Sequence, residues 1–73
     1  MKEAPITTEY ITIGQFLKYM NIVSSGGIAK ALLENEQITI NGLVETKRGR
    51  KCYPGDVIDI IGDDTYKITH NES

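Results

Sequence analysis

Residues 28–42, Ile28-Ala29-Lys30-Ala31-Leu32-Leu33-Glu34-Asn35-Glu36-Gln37-Ile38-Thr39-Ile40-Asn41-Gly42, change hydrophobic period in mid-course, and that change decides the fold. Ile28, Ala29, Leu32 and Leu33 recur at helical spacing and predict one apolar stripe on a helix that runs to about Asn35. From Gln37 the period is two, with Ile38 and Ile40 alternating around Thr39. Asn41-Gly42 then supplies the dipeptide that most readily takes the positive φ angles of a type I′ hairpin turn. The return strand is expected over Leu43-Val44-Glu45-Thr46. A strict two-residue loop sets Glu45 opposite Ile38, and the hydrophobic pattern alone does not decide that register.

Working upstream, Ser24-Ser25-Gly26-Gly27 is a break with a serine placed to cap the following helix. Before it, Thr12 and Gln15 match a capping box and open a first helix that ends near Asn21. Phe16, Leu17 and Met20 share one face of that helix, leaving Gln15, Lys18 and Tyr19 on the other. The two helices are expected to meet as a hairpin that buries both stripes and leaves Lys18 and Lys30 towards solvent. Ile6 to Ile11, β-branched after a proline, reads as a short extended segment leading in. Downstream, Lys47 to Lys51 is a basic loop and Pro54-Gly55-Asp56 a turn. Val57 to Ile61 is a strand, and Gly62-Asp63-Asp64 turns it into a last strand over Thr65 to Thr69. The reading is thus α+β, with residues 1–10 a lead-in, 11–69 one domain and 70–73 a frayed tail.

Composition excludes most alternatives. Seventy-three residues make one small domain, and 40% hydrophobic content with eleven isoleucines suffices for a thin core. One cysteine, Cys52, allows neither an internal disulfide nor a four-thiolate zinc site. No apolar run reaches the roughly 18 residues of a membrane span, and the N-terminus lacks the hydrophobic region of a signal peptide, so a cytoplasmic protein is expected. Cys52 reads as core. Its pairing with the lone His70, four residues from the end, is disfavoured as a catalytic dyad. Asp56, Asp59, Asp63 and Asp64 do not match a calcium loop. Gly26-Gly27 fits no nucleotide motif and reads as a tight interhelical turn. No enzyme, metal or cofactor is expected.

The sharpest feature is Lys47-Arg48-Gly49-Arg50-Lys51, four bases in five residues with no acid among them. The net charge of −2 and a pI near 5.2 argue against a generic polyanion binder. By segment the meaning changes: residues 15–51 hold six bases and three acids, whereas residues 52–73 hold one base and five acids. The chain is polarised, with the basic run following a helical pair that adds Lys18, Lys30 and a glycine-opened helix start.

Together these blocks resemble a known family. Ile11-Thr12-Ile13-Gly14-Gln15-Phe16-Leu17-Lys18, Ser25-Gly26-Gly27-Ile28-Ala29-Lys30, Ile38-Thr39-Ile40-Asn41-Gly42 and Arg48-Gly49-Arg50-Lys51, followed by Pro54-Gly55-Asp56-Val57-Ile58, are similar to the RNA-binding domain named after ribosomal small-subunit protein S-four. They look closest to its short stand-alone members called YaaA and YbcJ. The resemblance implies the αL RNA-binding motif, a two-helix hairpin packed on a small antiparallel sheet, preceded here by a short N-terminal strand. It also implies non-catalytic binding of structured RNA, typically ribosomal RNA, in ribosome assembly or a ribosome-associated step. Carried over by position, RNA-binding residues fall on Gln15, Lys18, Ser25, Gly26, Gly27 and Lys30, flanked by Lys47, Arg48, Arg50 and Lys51. Where the broader family carries Arg-Leu-Asp at the start of helix one and an arginine after the turn serine, this chain has Ile13-Gly14-Gln15 and Gly26. The expected partner is structured RNA or a ribosomal particle, bound by a monomer away from membranes. The rival reading is a protein-binding adaptor using the acidic C-terminal half or a sheet edge. Tyr19 is the one candidate to stack on a base, and a place at the core edge is preferred for it.

Overall fold

The computed structural model describes residues 1–71. Its elements are β1 (Lys2–Ile6), β2 (Ile11–Thr12), α1 (Ile13–Tyr19), α2 (Gly26–Glu34), β3 (Ile38–Ile40), β4 (Leu43–Val44), β5 (Lys51–Cys52), β6 (Val57–Ile60) and β7 (Thr65–His70). The fold is α+β in two layers, with both helices on one face of a five-stranded sheet of order β1-β7-β6-β3-β4. Alternation fills the interface: Ile38, Ile40, Ile58, Ile60, Tyr66 and Ile68 face Ile13, Phe16, Leu17, Ala29 and Leu33, all buried. Phe16 meets Tyr66 edge to face at 5.5 Å between centroids.

The hairpin forms as its turn chemistry requires. Asn41 and Gly42 hold φ of 53° and 85°, Ile40 pairs with Leu43, and the Glu45 amide donates to the Ile38 carbonyl at 3.0 Å. The two-residue loop therefore sets the register, and Glu45 does stand opposite Ile38. The return strand is shorter than expected, because at Glu45 the chain bends away to begin the basic loop. Both helices end in Schellman motifs. Ile22 and Asn21 donate to Leu17 and Lys18 after α1, and Gln37 and Glu36 donate to Leu32 and Leu33 after α2. Asn21 and Glu36 supply the left-handed residues, at φ 58° and 57°.

Several expectations need correcting. The N-terminal strand lies at Lys2–Ile6 and not over Ile6–Ile11, and it pairs in parallel with β7, so the sheet is mixed. Ala4 and Ile6 are buried in the core. Pro5 is tolerated because β1 is an edge strand, where its missing N–H removes no ladder bond on the outer side. Ile28 is 47% exposed and does not belong to the buried stripe, which is carried by Ala29 and Leu33 with Leu32 packed at its margin. The basic run does not remain loop throughout, since Lys51 enters β5 and pairs with Thr12. Ile61 lies outside β6 and is exposed. His70 closes β7, and the Asn71 amide bonds the Ile6 carbonyl at 2.8 Å, so the expected fray does not begin at 70. Residues 72–73 lie outside the described residues.

Candidate nucleic-acid interface

The basic run is anchored on the N-terminus of α1. Thr12 Oγ1 accepts from the Gln15 amide at 3.2 Å, while Gln15 Oε1 accepts from the Thr12 amide at 3.1 Å. The next two amides have no intrahelical partner and donate into the loop. Ile13 bonds the Arg50 carbonyl at 2.9 Å, and Gly14 bonds that of Arg48 at 3.1 Å. A turn from the Arg50 amide to the Lys47 carbonyl shapes the loop, and the short β2–β5 ladder holds its end. Backbone bonds thus seat the loop on the helix and set the directions of its side chains.

Gly14, the second residue of α1, packs against that loop, and a Cβ there would stand 3.4 Å from the Cβ and the carbonyl oxygen of Arg48. From this contact the Arg48 side chain extends to α2, where Nη1 is 3.6 Å from the place a Cβ on Gly26 would occupy. Ser25 caps α2, its Oγ accepting from the Ile28 amide at 3.4 Å and its carbonyl from the Ala29 amide at 3.2 Å. The amides of Gly26 and Gly27 then have no partner among the described residues. They sit at the positive end of the helix dipole with a guanidinium beside them. Where the resemblance leads one to expect an arginine, this chain has Gly26, and Arg48 brings a guanidinium beside that position from another element.

Between α1, α2 and the loop lies a cleft of about 310 Å³ lined by Gln15, Lys18, Gly26 and Arg48, with Thr12, Gly14, Ala29 and Gly49 completing the wall. No carboxylate lines it. Ser25 and Gly27 flank it in the α2 cap, and Lys30 is exposed one turn on, outside the lining. The remaining basic residues go elsewhere. Lys47 is exposed, and its amide donates to Glu45 Oε2 at 3.0 Å. Arg50 Nη1 pairs with Glu45 Oε1 at 2.9 Å. Lys51 Nζ stands 4.8 Å over the ring of Tyr10. The Lys47 amide holds the Glu45 carboxyl below its ordinary value near 4.5, against the opposing effect of burial and with the Arg50 guanidinium adding to it. Glu45 therefore ties down the start of the loop and engages the charge of Arg50.

Residues 4–69 match the family described as S4 domain. The chain belongs to the S4 domain family. It is 42% identical over 65 residues, 89% of this chain and 92% of the relative, to a protein of Bacillus subtilis (strain 168) named "Probable ribosome maturation protein RlbA". In this S4 domain Cys52 lies in the core, and burial foremost, with Asp56 adding, pushes its thiol up to about 11. Such a thiol is a poor nucleophile at neutral pH. Among the described residues of the S4 domain, no three His, Cys, Asp or Glu side chains gather as a metal site, and no helix is long and apolar enough to cross a membrane. Sequence reasoning missed Gly14, although a glycine inside a helical pattern, without a turn to make, signals close backbone approach. It also missed Tyr10 and Tyr53, whose rings come together at 5.8 Å. Tyr19 is 51% exposed and stands outside the core proper.

Proposed function

We propose that this chain binds structured RNA without catalysis, ribosomal RNA in particular, and acts in ribosome maturation as a soluble cytoplasmic monomer. The observation that carries the reading is the convergence of Arg48, Lys18 and Gly26, the first residue of α2, on one cleft without a carboxylate. A guanidinium fork beside helix-start amides matches the geometry of a phosphate, which accepts from both. Lys30, Lys47 and Lys51 extend the cationic surface, and Arg50 serves mainly to shape the loop. The likeness to a ribosome maturation protein supports the biological setting. Recognition is by shape, through phosphates and 2′-hydroxyls of a folded RNA.

Titration of a structured ribosomal RNA fragment at several salt concentrations tests the reading. Four to six phosphate contacts give a log–log slope of roughly −3 to −5. Undetectable or salt-independent binding overturns it. The adaptor reading has one observation in its favour, the exposed Leu43 and Val44 on edge strand β4. It becomes the better account if a protein partner is retained at high salt while RNA is not.

A further inference from the structure

Beside the cationic cleft lies a second groove, of about 570 Å³, lined by Thr8, Glu9, Tyr10, Ile11, Gln15 and Tyr19. Tyr10 is 37% and Tyr19 51% exposed, and both line the groove. The rings are held. Tyr19 Oη donates to the Pro5 carbonyl at 2.6 Å, Thr8 Oγ1 donates to the Tyr10 carbonyl at 2.8 Å, and the Tyr10 ring rests tilted against Tyr53. Exposed aromatics fixed in advance lose little side-chain freedom when a flat ligand stacks on them.

The charges around the groove say which part of a nucleotide it accepts. Glu9 in the lining repels a phosphate and accepts a hydrogen bond from an amino group on an uncharged base. Lys51, over Tyr10, is placed for the phosphate that such a base carries with it. Gln15 lines both the groove and the cationic cleft. Its Oε1 is engaged by the Thr12 amide, so its amino group is the part left to donate. The geometry points to a stacking site for one unpaired RNA nucleobase on Tyr10 and Tyr19, adjoining the phosphate cleft through Gln15; this site rests on the RNA reading above. Aromatic grooves also take proline-rich peptides, but continuity with a cleft lined by cations and free of carboxylates favours RNA.

Two RNA hairpins with the same stem, one fully paired and one carrying a single bulged adenosine, are the probes. The native chain is expected to bind the bulged hairpin about 5- to 150-fold more tightly, the range that stacking of one base gives. Tyr10→Ala is expected to abolish that preference, weakening the bulged hairpin more than the paired one. Tyr10→Phe and Tyr19→Phe, which keep the rings, are expected to retain it. Equal affinity for the two hairpins, or a preference that survives Tyr10→Ala combined with Tyr19→Ala, overturns the stacking site and leaves the RNA reading standing. So does binding of a polyproline peptide at these tyrosines with no preference for the bulge. Binding to neither hairpin at low salt overturns the RNA reading and this site with it.

Discussion

At position 48 one guanidinium bridges two elements, and its contact with Gly26 suggests a swap. Arg48→Ala is expected to weaken RNA binding roughly tenfold or more, the usual loss for a charge-assisted phosphate contact. Adding Gly26→Arg to that variant should restore much of the affinity, because it returns a guanidinium to the cleft that Gly26 and Arg48 both line. A double variant no tighter than Arg48→Ala alone shows that the location of the charge is not what counts. Arg50→Ala should behave otherwise, loosening the loop through Glu45 more than it removes a contact. The sequence places the two arginines in one run of like charge and gives no sign of this division, because the division depends on which carbonyls α1 captures. Cys52 offers an independent check on packing. Its folded-state pKa is raised, so the stability it contributes is complete below about pH 9 and is lost as pH rises towards about 11. At pH 8 a disulfide reagent should label this thiol only in denaturant, and rapid labelling of the native protein would contradict its burial.

At the scale of elements, what could be read in advance was whatever is local. The Thr12–Gln15 capping box, the serine cap of α2 and the Asn41-Gly42 turn all depend on neighbours within a few residues, and all three form. The two-residue strands β2 and β5 are too short to show a period, so their pairing was not legible. The end of α2 holds a correctable strain. Glu36 occupies a left-handed conformation at φ 57° that disfavours any residue with a Cβ. Glu36→Gly should therefore stabilise the domain by about 0.5–1 kcal/mol, a rise of a few degrees in the unfolding midpoint. An unchanged or lower midpoint would refute that account. The loop that follows β4 is pH-sensitive with a definite sign. Because the Glu45 carboxyl is held below its ordinary value, its stabilisation is complete at neutral pH and disappears as pH falls below about 4.5. The protection of the Thr46 and Lys47 amides, measured against their intrinsic exchange rates at each pH, should fall over that range, and Glu45→Gln should remove the dependence.

At the scale of the whole molecule, the fold separates tasks that the net charge of −2 conceals. Cations and helix amides gather where α1, α2 and the loop meet, while Asp56, Asp59, Asp63 and Asp64 lie on β6 and the turns on either side of it. That polarity limits indiscriminate attraction to polyanions and favours a partner that fits the helical face. Arg48→Glu should accordingly abolish RNA binding and change the unfolding midpoint little, since an exposed charge contributes little to folding. Loss of folding in that variant would mean that the residue is structural first. The parallel pairing of β1 with β7 was the least legible feature, because its partners stand at opposite ends of the described chain and no turn announces them.

That pairing also has a meaning in time. Lys2 is synthesised 64 residues ahead of its partner Tyr66. At synthesis rates of roughly 5–20 residues per second, Ala4 and Ile6 wait on the order of 3–13 seconds for the strand that covers them. The helical hairpin and the turn at Asn41-Gly42 form from near neighbours and need no such wait. Among the described strands β1 is thus made ahead of the others and docks after them, and throughout that interval two core side chains are open to whatever the nascent chain meets.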